Sequence, residues 1–253
     1  MYSLDDFKVT LKNPEEVKHF VRWHGETACI CYNTNPKFAE RVGESVIADR
    51  HFSGSRGYYF IFEIECPRFT ADQIMRHDIG TFKNCQSQRY VDMDDNFSIY
   101  VPPQVMADEN LQAVYREFER QCKSMYEIAR IEMNWRHIKG EKANDLMRTM
   151  LPIGVKTKLV MGFTIEALEN FMNKRLCTRA DLPIRKVACL MKEEVIKVEP
   201  RYEHLLVPQC KKLMYCPEKH SCGSYPTKSE LKETITLGYE KRFEIKEEML
   251  DEI

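Results

Sequence analysis

The sequence predicts an α+β chain, with strands concentrated in the first half and helices in the second. Two observations carry this. Residues 58–66 alternate, with Tyr58, Phe60, Phe62, Ile64 and Cys66 on one face and Glu63 and Glu65 on the other. That is the period of two of a half-buried strand. Further on, Leu111, Val114, Tyr115, Phe118, Cys122, Met125, Tyr126 and Ala129 keep the 3.6 period over about five turns. Strands followed by a run of helices are the α+β pattern. No shift of composition cuts the chain, so residues 1–227 read as one domain and 228–253 as a charged helix or tail.

The other elements follow in order. Residues 27–32 are short, apolar and cysteine-rich, and read as a buried strand. Residues 36–51 have helical spacing through Phe38, Val42 and Val46. Pro67 ends the alternating strand, and residues 69–77 form a helix with Phe69 and Ile74 inward. Gly80 breaks that pattern and a polar loop follows. Residues 97–101 read as a short strand closed by Pro102 and Pro103. Ala143, Leu146, Met147 and Met150 mark a shorter helix that stops at Pro152. Residues 159–176 read as a helix with Phe163, Leu168, Phe171 and Met172 as its core stripe. Asp181 is placed to cap the next helix, with Pro183 in its first turn. That helix runs to about Val198. The chain then turns irregular over residues 202–227.

Composition narrows the function. Of 253 residues, 43% are hydrophobic, which is enough for a sizeable core. A net charge of −1 argues against a nucleic-acid scaffold. A small anionic ligand needs only a local arginine cluster. The first ten residues carry no basic or apolar leader, and no stretch nears roughly 18 uninterrupted apolar residues. The expectation is a cytoplasmic chain without a membrane span. Ten cysteines in such a chain read as reduced thiols. Cys210, Cys216 and Cys222, with Cys177 as a fourth, admit a zinc or iron–sulfur reading. They lack the tight Cys-x2–4-Cys pair of closed sites, so no metal is assigned. Cys85 is either a thiol activated by nearby arginines or a small loop filler. His24, His51 and His137 are each catalytic candidates or ordinary structural histidines.

Residues 73–90 are the most informative segment. Gln73 and Arg76 share a helix face, followed by His77. Thr81, Lys83, Asn84, Gln86, Ser87, Gln88 and Arg89 then form a run rich in hydrogen-bond donors. Arginine forks match phosphate and imide oxygens with two bonds each, which suits a nucleotide. A solvated helix end and loop is the competing reading.

The run from Arg76 to Tyr90 resembles the signature of the flavin-dependent thymidylate synthases, the ThyX family: Arg-His-Arg, a spacer, Ser, Asn, then Ser-x-Arg-Tyr. Gln73-x-x-Arg76-His77 and Asn84…Ser87-x-Arg89-Tyr90 keep the family spacing, with one extra residue between them. Arg148-x-x-Leu151-Pro152 and Asn170-Phe171-x-x-x-Arg175-Leu176-Cys177-Thr178-Arg179-Ala180 are similar to two further blocks. His51-x-Ser53…Phe60-x-Phe62 matches another upstream. These blocks agree in order and separation over about residues 25–223.

The resemblance implies a mostly antiparallel central sheet flanked by long helices, and a homotetramer with active sites shared between subunits. It implies reductive methylation of dUMP to dTMP, with FAD as cofactor and NADPH and 5,10-methylenetetrahydrofolate as co-substrates. By match, Gln73, Arg76, Ser87, Gln88, Arg89, Arg148 and Arg175 hold dUMP. Arg175 is the catalytic group against the uracil, and Arg89 and Arg148 are phosphate ligands. Arg76, His77, Asn84, Asn170 and His51 contact the flavin. Ser87 is read as a donor rather than a nucleophile. Three positions depart. Asp78 replaces the last residue of Arg-His-Arg, Glu166 replaces a flavin-binding arginine, and Gly57 replaces a histidine. Each lost ionic bond costs about 1.5–3 kcal/mol unless Lys83, Lys174 or Arg179 compensates. Two alternatives stay open: a related enzyme acting on another pyrimidine nucleotide or giving another one-carbon product, and a nucleotide-binding homologue without catalysis.

Overall fold

A computed structural model describes residues 1–93, 97–234. Four strands, β1 (Lys8–Leu11), β2 (Phe60–Pro67), β3 (Thr81–Cys85) and β4 (Lys156–Phe163), form one sheet in the order β1-β2-β4-β3, with every pairing antiparallel. The helices are α1 (Pro14–Val17), α2 (Phe20–Cys31), α3 (Ala39–Ala48), α4 (Arg68–Met75), α5 (Pro103–Met106), α6 (Glu109–Trp135), α7 (Glu141–Met147), α8 (Ile165–Arg175), α9 (Leu182–Val198) and α10 (Gln209–Leu213). The α+β expectation holds.

The alternation in β2 does what it predicts. Phe60, Phe62, Ile64 and Cys66 are all buried. They join Leu159, Met161 and Phe163 of β4, Ile74 of α4, Leu168, Phe171 and Met172 of α8, and Val187, Met191 and Val195 of α9 in the main core. Each large apolar side chain buried this way contributes roughly 1.5–3 kcal/mol. Thr164 starts α8 by accepting a hydrogen bond from the Ala167 amide, and Asp108 starts α6 by accepting from Asn110 and Leu111. Asp181 precedes α9 as expected but makes no side-chain cap.

Four expectations are corrected. Residues 27–32 are not a strand; they close α2, whose buried positions Phe20, Val21, His24, Gly25, Ala28 and Cys29 step at helical spacing. A six-residue apolar run cannot reveal its own period, and Ile30, in its middle, is 83% exposed. Residues 159–176 are not one helix. The first part is β4, with Thr157, Leu159, Met161 and Phe163 inward, and Thr164 resets the period before α8. Residues 159–163 are apolar without a break, which hides the period of two that the outward Lys156 and Lys158 otherwise mark. The polar loop after Gly80 begins as β3, an edge strand whose two faces are both largely open, so its polar composition hides it. The expected strand at 97–101 is reduced to isolated bridges, Ile99 with Val155 and Tyr2 with Tyr100.

The stripe on α6 also departs from expectation. Only Tyr126 is buried there. Leu111, Val114, Phe118, Met125, Ile128, Ile131 and Trp135 stand exposed, Trp135 by 77%. This helix turns an apolar face away from its own core. Of the proposed tail, residues 228–234 begin a helix, and the remainder lies outside the described residues.

Candidate functional site

Arg76 and His77 follow α4 directly, where the helix leaves carbonyls without partners. Lys83 on β3 donates to one of them, Met75 O, at 2.5 Å, and pairs with Asp78. Thr81 Oγ donates to His77 O at 2.7 Å and to Asp78 O at 3.1 Å. Gly80 closes the turn with φ of +71°, a conformation that favours glycine. A Cβ there would sit 2.6 Å from Thr164 Oγ. The Thr164 amide donates to Gly80 O at 2.9 Å. One glycine therefore sets the Arg76–His77 turn against the start of α8.

The far end of α8 completes the arrangement. Arg175 Nε donates to His77 Nε2 at 3.1 Å, and the His77 ring meets Phe171 edge-on at 4.9 Å between centroids. An acceptor at Nε2 fixes a neutral imidazole with its proton on Nδ1. Burial pushes the His77 pKa down to about 4, with the charges of Arg175 and Lys174 adding to the effect. Arg175 is itself shifted down, by burial first and then by Arg76. Arg76, His77, Asp78, Asn170, Lys174 and Arg175 line one cleft of about 350 Å³. Its one acid, Asp78, is already neutralised by Lys83. Among the described residues, no carboxylate forms an ion pair with Arg76, Lys174 or Arg175. Repulsion between unpaired cations in a partly buried cleft falls when an anion enters.

This geometry fixes a pH response. His77 stays neutral in the native chain down to about pH 4, whereas in the unfolded chain it titrates near 6.5. Between those values the unfolded chain binds the extra proton. The stability contributed by neutral His77 is therefore complete above pH 6.5 and is lost as pH falls toward 4. Ring-nitrogen chemical shifts should show the His77 ring still neutral at pH 5 with its proton on Nδ1, the signal being assigned by its loss in His77→Asn. A His77 that titrates near 6.5 would sink the assignment.

Arg89 and Arg148 form a second group. Arg89 reaches Glu141 at 2.5 Å and Asp145 at 3.2 Å, and Arg148 reaches Asp145 at 2.9 Å. Both expected phosphate ligands are thus gathered on one acidic pair of α7. Glu141 and Asp145 were missed in the sequence, although their i, i+4 spacing marks one helix face. Ser87 accepts from the Arg89 amide at 3.3 Å in the turn that carries Gln88. Gln73 is half-buried on α4, one turn before His77.

The remaining residues are dispersed. Asn84 lies exposed on β3. His51 lines a different cleft, with His24, Thr27 and Tyr32. His24 is buried, and burial depresses its pKa. Glu166 is matched by Arg56, which donates to it at 3.0 and 3.2 Å. Arg56 was not singled out in the sequence, and Gly57 beside it is open. Of the three expected compensating cations, Lys83 answers Asp78 and Lys174 lines the cleft. Arg179 instead contacts His220 O and Glu218 in another cavity.

A four-stranded antiparallel sheet carrying a cation-lined cleft defines an α+β protein suited to anionic ligands. The chain belongs to the thymidylate synthase complementing protein family, whose model matches residues 15–201. It is 37% identical over 207 residues to the flavin-dependent thymidylate synthase of Pyrococcus horikoshii, covering 78% of this chain and 81% of that protein. It is 31% identical over 190 residues to that of Nitratidesulfovibrio vulgaris, covering 74% and 77%. The fold is similar to that of the UMP/dUMP methylase PolB from Streptomyces cacaoi bound with 5-Br UMP. The TM-score is 0.59 at 18% identity, covering 79% of this chain and 93% of that one. Among the described residues, no helix is long and apolar enough to cross a membrane.

Proposed function

We propose that this chain is a flavin-dependent thymidylate synthase, converting dUMP to dTMP with methylenetetrahydrofolate, FAD and NADPH. The observation that carries this reading is the cleft at the end of α8, where Arg76, Lys174 and Arg175 lack counterions beside a neutral His77. Its donor set suits a phosphate- and oxygen-rich cofactor as well as a pyrimidine. Bound flavin would supply the redox chemistry, which no side chain provides. The protein's own part is to orient and polarise. Arg175 donates toward the uracil oxygen on which negative charge develops as carbon 5 reacts. His77 holds the Arg175 fork in place. Arg89 and Arg148 exchange Glu141 and Asp145 for the phosphate. Gln73, Ser87 and Gln88 supply further bonds to the nucleotide. Arg76, His77 and Asn170 face the flavin, and we read Asn84 and His51 as contributions from a neighbouring copy.

Such sharing requires assembly, and the exposed face of α6 is the surface for it. An apolar stripe of this length is uncommon on a monomer. A homotetramer is the expected state. Ile128→Glu should convert it to smaller species by light scattering and abolish turnover together. A wild-type monomer that turns over would exclude shared sites.

The test of function is release of tritium from carbon 5 of dUMP by the purified yellow protein, with the product mass showing one added methyl. A second reading, methylation of UMP, is favoured by the altered charge pattern at Asp78 and Glu166. Running UMP beside dUMP decides between them. A colourless protein that gains no flavin on titration overturns both.

A further inference from the structure

A second cavity, of about 130 Å³, shares no lining residue with the Arg76–Arg175 cleft. Cys177, Cys210, Cys216 and Cys222 all line it. The sequence places three of these thiols six residues apart, and the fold brings the fourth to them from the segment after α8. All four are free. They are close enough that Cys177, Cys216 and Cys222 each disfavour charge on Cys210. Two cations, Arg179 and Lys211, share the lining.

From this convergence we infer that Cys177, Cys210, Cys216 and Cys222 ligate a four-iron iron–sulfur cluster. Spacing separates this from a single ion. Zinc–sulfur bonds near 2.3 Å require the four sulfurs of a tetrahedral site to lie roughly 3.8 Å apart. Among the described residues, no three His, Cys, Asp or Glu side chains converge closely enough to hold one ion. Four thiols set more widely around one cavity suit a cluster, which is bound by four cysteines and is larger than an ion. Each thiol gives up its proton on ligation, and Lys211 offsets part of the resulting negative charge, Arg179 being paired with Glu218 of the same lining.

The surrounding chain has a need that such a cluster meets. Between residues 208 and 227 the one buried side chain among the described residues is Cys216. Apart from α10 and a bridge from Cys216 to Thr227, the segment has no regular structure. Burial that small does not offset the entropy of ordering twenty residues. Metal ligation supplies that stabilisation in domains whose own core is insufficient. The cluster would also fix Cys177, two residues beyond Arg175.

The test is chemical analysis of the full-length protein, purified without oxygen and reconstituted with iron, sulfide and a thiol. The expected result is about four iron and four acid-labile sulfide per chain. Cys222→Ser, at an exposed position, should lower both by at least about half, whereas Cys31→Ser, exposed on α2, should leave them unchanged. One zinc per chain without sulfide overturns the inference, as does metal-free protein after reconstitution. Neither readout depends on turnover, so the result stands apart from the thymidylate synthase reading.

Discussion

Arg175→Ala should lower kcat on dUMP by about 10²–10³-fold, the usual effect of removing one donor aimed at a developing negative charge. The fold should survive. Arg175 is the last residue of α8, it is half-buried, and its one side-chain hydrogen bond among the described residues goes to His77. Losing that bond frees the His77 ring but opens no hole in the core, because Phe171 below it remains packed against Phe163. Arg175→Lys keeps the charge and loses the planar fork, so it should recover only part of the rate. The affinity for dUMP, measured by calorimetry without the other substrates, should fall less than kcat, since the interaction strengthens as charge develops. A variant that turns over within tenfold of wild type would remove Arg175 from its role.

The same pairing shows how much of the site was legible in the sequence. Arg76, His77 and Arg175 were singled out by the family resemblance, and the fold joins His77 to Arg175 across 98 residues of chain through one hydrogen bond. What the spacing could not show was electrostatic partnership. Glu166 and Asp78 looked like losses of positive charge, yet Arg56 and Lys83 sit on them. Arg56 and Glu166 lie 110 residues apart, so no local pattern announces that pair, whereas Lys83 is only five residues from Asp78 and was among the expected compensating cations. The strands failed in the sequence for a related reason. β3 is an open edge and β4 ends in the unbroken apolar run Leu159–Phe163, so neither shows its period in the sequence, while half-buried β2 does. The four thiols around the second cavity differ from these cases, because the sequence already grouped Cys177 with Cys210, Cys216 and Cys222, and the fold places all four around one cavity.

The largest stability effect should come from Gly25→Ala. Helices α2 and α3 cross with their backbones in contact at Gly25 and Gly43. A Cβ on Gly25 would lie 1.7 Å from Ala39 O, and one on Gly43 would lie 2.0 Å from Val21 O. Both obstacles are backbone atoms, so no side-chain rotation relieves them. The helices must move apart, which strips packing from Val21, Val46 and Ile47, all buried near the crossing. Overpacking of this kind costs about 3 kcal/mol or more, against a gain of roughly 1 kcal/mol in helix propensity for Ala over Gly. The net loss should be about 2 kcal/mol at least, seen as a lower urea midpoint with an unchanged slope. Gly57→Ala is the matched control, because nothing lies within 4 Å of its added Cβ. Equal midpoints for the two variants would mean that α2 and α3 do not meet at these glycines. A fall confined to Gly25→Ala would place the crossing there, and the Gly25→Ala, Gly43→Ala double variant should then lose less than the sum of the two, since one separation relieves both clashes.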